Sequence, residues 1–282
     1  MARLHHPNIV EVYDYGEVGD AGGTRPYVVM ELVEGRSLAE LLSAGALPWQ
    51  VAVLVCAQVA AALTAAHEQG VVHRDVTPPN VMVTAAGVKL LDFGICAVTG
   101  EADLGDGDEI VGTPAYLAPE RLEHGLVNPA TDVYALGLLL YRALAGHAPW
   151  TAASPLEAVR AHREVDPAPL PGIDGLPAEI TDLCLRCLAR EPDDRPNAAQ
   201  AALVLAQAAG VPVAPAAATA AKLVTPSAVP AVLPVGRAFA SAVASAGAAV
   251  SDQTRVLDKP GAWQRRIAVA VVAALLIGGM AA

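Results

Sequence analysis

Residues 71–94 read VVHRDVTPPNVMVTAAGVKLLDFG, and they carry the strongest indication of the fold. It holds three polar side chains at fixed spacing, because Asn80 follows Asp75 by five residues and Asp92 follows Asn80 by twelve. Two runs of β-forming residues, NVMVT and GVKLL, lie between the His-Arg-Asp and Asp-Phe-Gly tripeptides and predict two short strands. Either tripeptide alone occurs by chance, but the ordered set is highly specific.

Three motifs in this order resemble the signature of protein kinases. His73-Arg74-Asp75 with Asn80 comes first, Asp92-Phe93-Gly94 second and Ala118-Pro119-Glu120 third. The sequence is most similar to the bacterial, eukaryotic-like serine/threonine kinases, which often carry a linker and a single membrane helix. The resemblance extends to about Ala208. It implies an α+β, protein-kinase-like fold, mainly the helical C-lobe with a remnant of the N-lobe sheet.

The resemblance implies transfer of the γ-phosphate of ATP to Ser or Thr of protein substrates. Phosphoryl transfer needs charge neutralisation and an oriented nucleophile more than covalent catalysis. Asp75 is expected to orient the substrate hydroxyl or to accept its proton. Asn80 and Asp92 supply hard oxygen ligands suited to Mg²⁺. The three residues Asp75, Asn80 and Asp92 are therefore the predicted catalytic residues, and ATP and Mg²⁺ the predicted cofactors.

A nucleotide site is implied near the front of the chain. Met30, Glu31 and Val33 resemble the hinge that receives adenine, with Met30 at the back of the pocket. Met82 resembles the floor beneath the adenine, and Asp92 the residue that meets the phosphates. Packing is the alternative interpretation for the apolar members, since an apolar strand residue is usually core.

Regulation is implied by Arg74, because an arginine beside the catalytic aspartate is typical of kinases controlled by activation-loop phosphorylation. The loop over residues 95–111 offers Thr99 as its only hydroxyl and carries five acidic side chains. One hypothesis is that an acidic side chain partly replaces the phosphate. A solvated acidic loop is the alternative.

Several residues are implied to hold the architecture. Thr113 lies in a segment that resembles the substrate-positioning segment and would reach toward Asp75. Glu120 is expected to pair with Arg195, a buried pair of the kind that is costly to break from one side. Asp132 is expected to accept hydrogen bonds from the catalytic-loop backbone. The remaining structural positions are His73, Phe93 and Gly94, of which His73 and Phe93 would stack in the hydrophobic spine.

The sequence departs from the kinase pattern at the front. The only lysines are Lys89, Lys222 and Lys259, so no lysine precedes Asp75, and no Gly-rich phosphate loop is present. Thr77 stands where the family usually has a lysine. We expect negligible activity for the chain as given. The missing lobe is expected upstream of Met1, through a misplaced gene start, and a genuine remnant is the alternative.

Composition divides the chain near residue 208. Residues 1–208 carry 12 Lys and Arg against 27 Asp and Glu, a net charge of −15, which argues against nucleic-acid binding. Beyond them the Ala, Val and Pro content predicts a linker. The end, IAVAVVAALLIGGMAA behind Arg265 and Arg266, favours a membrane anchor with the kinase side in the cytoplasm, although a buried helix is the alternative.

The predicted organisation has four parts. Residues 1–33 form the N-lobe remnant and hinge, and residues 34–208 the C-lobe. Residues 209–264 form a disordered linker, and residues 265–282 a single transmembrane helix in the cell membrane. The pair Cys184 and Cys187 is expected to pack in the core of a helix rather than to bind zinc.

Two other functions compete with the kinase. A pseudokinase-like scaffold tethered to the membrane is favoured by the missing lysine and by Thr77, but the retained Asp75, Asn80 and Asp92 argue against it. A small-molecule phosphotransferase of kinase-like fold would not be expected to carry the segment 112–120. A homodimer is a further expectation.

Overall fold

The computed structural model of the protein describes residues 4–20, 23–92, 97–98, 114–122, 126–151 and 154–211. Its contacts divide the described chain into two units. One unit is the segment 11–32, and the other combines residues 4–10 with residues from Val33 onward. The predicted membrane helix, and all of the predicted linker beyond residue 211, lie outside the described residues.

The segment 11–32 is a β-hairpin, the structure expected of two β-rich runs around a Gly-rich turn. Strand β1 (Val12–Asp20) pairs antiparallel with β2 (Gly23–Met30), and Asp20 faces Gly23 at the turn. Both strands are rich in Val and Tyr, which favour extended backbone, whereas the GDAGG sequence between them favours a tight turn. A bulge interrupts the register between Val12 and Asp14.

The core of the main unit forms around helix α2 (Trp49–Glu68). Every side chain from Val51 to Ala66 is buried, so the helix is covered around its whole circumference. Pro48 precedes the first turn, and Gly70 (φ +73°) follows the last, in the left-handed conformation that ends helices. Among the described residues α2 is also the helix whose length and composition would suffice to cross a membrane, but 89% of that stretch is buried inside the protein.

Two small sheets flank α2. Strands β3 (Arg36–Ser37), β5 (Val81–Thr84) and β6 (Gly87–Leu90) form one antiparallel sheet in the order β3-β5-β6. Strand β4 (Val71–Val72) pairs with β7 (Ala97–Val98) in the other. The predicted strands NVMVT and GVKLL are thus confirmed, and they pair as a hairpin.

Four further helices complete the described part of the main unit after the short α1 (Leu38–Leu42), which Ser37 caps. Each of them begins at a proline or within two residues after one, as expected for helix starts. Helix α6 begins two residues after Pro196, because Asn197 forms a capping box with Gln200. Helices α3 and α6 pack on α2, and α5 packs between α3 and α6. Their bounds are α3 (Ala130–Ala145), α4 (Pro155–Glu164), α5 (Ala178–Cys187) and α6 (Ala198–Ala208).

The cysteines pack in this core, which confirms that role for Cys184 and Cys187. Both thiols are free and buried, and burial raises the pKa of both. A Cβ on Gly137 of α3 would lie 2.7 Å from the Cβ of Cys187, closer than real atoms approach. The glycine therefore permits α3 and α5 to meet at this point.

The segment 4–10 joins the main unit through a buried polar cluster. Nδ2 of Asn8 donates to Oε1 of Gln58 (3.0 Å) and to the carbonyl of Val88 (2.8 Å). The same Gln58 oxygen accepts from the Val88 amide at 2.8 Å. The Val10 amide donates to the Leu90 carbonyl, and the Leu90 amide donates to the Asn8 carbonyl. The segment therefore pairs with the end of β6. The first residues of the chain thus form two different structures. Residues 4–10 pack within the main unit, and residues 11–32 form the hairpin.

We expect this front segment to make stability depend on pH. Burial, and then the charge of Lys89, lower the pKa of His6 from 6.5 to about 4. The unfolded chain therefore binds the extra proton first, so the free energy of unfolding falls as pH drops from 6.5 toward 4. His6→Asn, which can still accept from the Asn8 amide, should reduce that loss by about 1–2 kcal/mol after allowance for partial exposure. Urea titrations at pH 4 and pH 7 check it, and an equal reduction in His147→Gln would contradict the assignment.

Candidate active site

Asp75 and Asn80 meet in the loop after β4. A single 3₁₀ turn, Pro78–Asn80, returns the chain so that the Asn80 side chain reaches back across five residues. Nδ2 of Asn80 donates to Oδ2 of Asp75 (2.7 Å) and to the Asp75 carbonyl (2.9 Å). The Asn80 carbonyl accepts from the Leu91 amide (2.8 Å), which fixes the loop to the strand that ends before Asp92. The carboxylate of Asp75 is thereby held in one orientation.

The amide oxygen of Asn80 is left for a ligand. Its nitrogen is fully used by Asp75, and no described residue donates to Oδ1. Asn80 is itself buried, with 7% of its surface exposed. An amide oxygen without a protein donor is a good ligand for a hard divalent cation.

His73 links the catalytic loop to the residues before Asp92. Its ring is fully buried, and Nε2 lies 2.8 Å from the Leu91 carbonyl. A carbonyl can only accept, so the neutral ring carries its proton on Nε2, and Nδ1 accepts from the Asp75 amide (3.2 Å). One imidazole therefore sets the spacing between two of the three candidate catalytic residues.

Asp132, in the first turn of α3, fixes the catalytic loop through hydrogen bonds to its backbone. Its side chain is completely buried, with Oδ1 accepting from the Arg74 amide (2.8 Å) and Oδ2 from the His73 amide (2.8 Å). Nε2 of His67, at the end of α2, lies 2.8 Å from the same Oδ2. Arg74 has φ +70°, a conformation that costs energy for a residue with a Cβ. The two bonds to Asp132 stabilise that conformation.

Burial and hydrogen bonding act in opposite directions on Asp132. Burial alone would raise the pKa of its carboxyl group, but the bond from His67 and the bonds and charges around His73 lower the pKa below the ordinary value. The carboxylate is therefore ionised at neutral pH. An ionised acceptor makes the stronger bonds to the loop amides.

Asp92 has the opposite environment. Burial raises the pKa of its carboxyl group, His73 opposes this, and the nearby Asp75 raises it further. The residue also sits at φ +54°, outside the usual range for a non-glycine. Two carboxylates at one site disfavour each other's charge, and a divalent cation would remove that penalty.

The residues present fit a Mg²⁺ ion that also binds phosphates. Such an ion keeps several waters and takes one or two protein ligands. Asn80 and Asp92 supply two oxygen ligands, and among the described residues no group of three or more His, Cys, Asp or Glu side chains could form an all-protein cage. Two protein ligands are the number expected for a Mg²⁺ ion whose other ligands are water and the phosphates of a nucleotide.

The third motif is anchored by an ion pair. Nη1 of Arg195 donates to Oε1 of Glu120 (2.7 Å) and Nη2 to Oε2 (2.8 Å), with the guanidinium fully buried. Thr131 donates to the same Oε1 at 3.0 Å. The structure therefore brings Glu120 and Arg195 together across 75 residues of sequence.

Residues 1–204 match the family model of the protein kinase domain. The chain belongs to the protein kinase family. It is 40% identical over 198 residues to the serine/threonine-protein kinase PknL of Mycobacterium tuberculosis, which covers 69% of this chain and 49% of PknL. It is 37% identical over 198 residues to PknB of Mycobacterium leprae, which covers 69% of this chain and 32% of that protein. The chain thus spans about half the length of PknL and a third of PknB.

The resemblance to bacterial, eukaryotic-like serine/threonine kinases is confirmed by these relatives, as is the kinase-like combination of helices and small sheets. The domain boundaries inferred from composition stay predictions. Four candidate site residues, Phe93, Gly94, Thr99 and Thr113, lie outside the described residues.

The residues predicted to bind adenine fall in both kinase units. Met30 and Glu31 end the hairpin unit, where the Glu31 amide donates to the Glu11 carbonyl (2.8 Å). Val33 and Met82 are half-buried residues of the main unit, and Met82 lies opposite Ser37 and Lys89 in its sheet. Their binding role stays a prediction.

Sequence reasoning missed three residues that serve this kinase site. His67 bonds Asp132, Thr131 bonds Glu120, and Nη1 of Arg121 donates to the Arg74 carbonyl (3.0 Å). His67 could have been noticed as a titratable residue in the last turn of an apolar helix. The other two carry no comparable signal, because polar residues near loops are ordinary.

Proposed function

We propose that the protein transfers the γ-phosphate of ATP to Ser and Thr hydroxyls of protein substrates. The observation that carries the proposal is the Asp75–Asn80 pair, whose loop is fixed by the buried Asp132. Because the barrier to phosphoryl transfer is lowered mainly by positioning and charge, a rigidly held carboxylate beside hard oxygen ligands is the arrangement this reaction requires.

Each residue has a distinct part in this mechanism. Asp75 orients the substrate hydroxyl and receives its proton as the oxygen attacks phosphorus. Asn80 keeps the Asp75 carboxylate turned toward that hydroxyl through the 2.7 Å bond. Asn80 and Asp92 would hold Mg²⁺, which supplies neutralisation of the phosphate charge. His73 keeps the two sides of the site at a constant separation.

The 282-residue polypeptide alone is expected to have negligible activity. No lysine precedes Asp75, and no Gly-rich loop is present in these residues, so the phosphates lack their usual clamp. Thr77, which stands where the family usually has a lysine, is buried and has no charge to offer. The missing lysine and Thr77 favour the second candidate function, a pseudokinase-like scaffold that binds a partner without catalysis.

Membrane tethering is part of the proposal. Sixteen uncharged residues close the sequence behind Trp263, Arg265 and Arg266, a pattern typical of a helix anchored with its basic end in the cytoplasm. The kinase domain would then face the cytoplasm. The proposal includes a tethered homodimer, which crosslinking tests. Recovery of the protein in a carbonate-washed membrane pellet would support the anchor, and recovery in the soluble fraction would contradict it.

Asp75→Asn tests the catalytic proposal. In the protein as its gene encodes it, we expect the rate of transfer from γ-labelled ATP to Ser/Thr peptides to fall by about 10²–10⁴-fold. The thermal midpoint should not change, because the asparagine oxygen still accepts from Asn80.

The matched control is Asp166→Asn, a side chain that is 98% exposed, and its rate should equal the wild-type rate. If the wild type and Asp75→Asn incorporate label equally, or if neither does so above a no-enzyme blank, the scaffold becomes the better interpretation. The 282-residue polypeptide, assayed beside them, should show negligible transfer.

A further inference from the structure

Residues Pro114–Leu122, here called the substrate segment, are attached at both ends. Arg121 donates to the Arg74 carbonyl of the catalytic loop at 3.0 Å. Nearer the start, Nη1 of Arg142 donates to the Tyr116 hydroxyl at 3.1 Å. Between these points the carbonyl of Leu117 points into the protein, where Leu117 is 3% exposed. A buried carbonyl requires a donor.

His162 of α4 supplies that donor. Its Nδ1 lies 2.8 Å from the Leu117 carbonyl across 45 residues of sequence. Since a carbonyl only accepts, Nδ1 carries the proton in the neutral ring. Among the described side chains of α4, His162 is the buried one, at 6% exposure. The helix therefore meets the substrate segment through a directional bond.

The imidazole is itself held from two sides. The Trp150 ring lies 4.4 Å from it and the Tyr134 ring 5.7 Å, centroid to centroid. Nε1 of Trp150 donates to the carbonyls of Val165 (3.1 Å) and Asp166 (3.2 Å), which fixes the end of α4. These ring contacts restrict the orientation of the His162 side chain, so that Nδ1 stays directed at the Leu117 carbonyl.

We propose that His162 is a positioning residue for the protein substrate, acting through the Leu117 carbonyl. The inference rests on the proposed function, since it assumes that the substrate segment receives the acceptor peptide. Loss of the Nδ1–H bond leaves a buried carbonyl unsatisfied, so the segment shifts relative to the catalytic loop. Peptide recognition would suffer, whereas the ATP site, built from Asn80 and Asp92, would not.

Two substitutions separate the bond from the ring. His162→Phe keeps an aromatic ring against Trp150 and removes the donor. His162→Asn removes the ring and places an amide N–H near the position of Nδ1. The matched control is His147→Phe, an exposed histidine whose Nδ1 contacts its own neighbour Ala148 at 2.9 Å.

The measurement is steady-state phosphate transfer by the protein as its gene encodes it, with dodecapeptides that carry one central Ser or Thr and randomised flanks. We expect the KM for the best peptide to rise about tenfold in His162→Phe and to be largely restored in His162→Asn. The KM for ATP should stay at the wild-type value in both. The preference for residues flanking the acceptor should weaken in His162→Phe alone.

A merely structural role predicts another outcome. If His162→Phe and His162→Asn change both KM values alike, or change neither, the positioning role is overturned. If the wild type transfers no phosphate, the proposed function fails instead. The bond between His162 and the Leu117 carbonyl is then tested by hydrogen exchange. Faster exchange of the amides of Ala118 and of residues 120–122 in His162→Phe than in His162→Asn then supports the tether, and equal exchange overturns it.

Discussion

Replacing Arg195 with leucine is expected to lower the free energy of unfolding by about 3–5 kcal/mol, because it leaves a largely buried carboxylate without its partner. All five guanidinium N–H groups are used in the folded protein. Two bind Glu120, and the others bind the carbonyls of Ala130 (3.0 Å), Ala189 (2.8 Å) and Arg190 (2.8 Å). The guanidinium also lies 4.8 Å from the Tyr134 ring.

Urea unfolding followed by circular dichroism measures this loss. The matched control is Arg186→Leu, whose pair with Asp182 lies on the surface with 48% and 65% of the side chains exposed, and it should cost less than about 1 kcal/mol. Replacing Glu120 and Arg195 together with leucine should recover part of the loss, since no buried charge then remains. A loss in Arg195→Leu no larger than in Arg186→Leu would contradict the assignment.

Asp132→Ala is expected to reduce phosphate transfer by about 100-fold, through displacement of the catalytic loop. The change leaves the buried amides of His73 and Arg74 without acceptors, and Arg74 loses the bond that stabilises its left-handed backbone. Two unsatisfied donors also cost about 2–6 kcal/mol of stability. Asp132→Asn, which keeps one acceptor oxygen, should fall between the alanine variant and the wild type.

Folding and turnover must be measured on the same samples. The rate is compared at a temperature where circular dichroism shows each variant fully folded, so that unfolding does not imitate a catalytic defect. Asp166→Ala is the exposed control. If folded Asp132→Ala protein retains the wild-type rate, then the catalytic loop does not depend on α3 for its working conformation.

Much of the fold could be predicted because its boundaries are marked locally. The hairpin is marked by GDAGG, α2 by Pro48 and Gly70, and the later helices by prolines near their starts. Such residues act on the backbone within a few positions, so a single sequence reveals them. Pro196 marks the start of α6 only approximately, because the cap at Asn197 begins the helix at Ala198.

The site was less accessible to sequence reasoning. The spacing of Asp75, Asn80 and Asp92 is local and was recognisable through the family resemblance. The contacts of His67, His162 and Arg121 join residues 65, 45 and 47 positions apart, and nothing in the nearby sequence indicates which distant group they meet. Long-range pairs of this kind follow from how the helices pack, and packing was not predicted.

The dependence of the catalytic loop on Asp132 also has a consequence for how the protein is made. Asp132 lies 58 positions after Arg74 in the sequence. The ribosome therefore synthesises the catalytic loop well before the residue that holds it in place. At about 5–20 residues per second, the nascent loop waits about 3–12 seconds for the start of α3. During that interval the chain carries the residues of a phosphotransferase without their geometry. Translation itself therefore delays the working conformation of the loop until the first turn of α3 has been made.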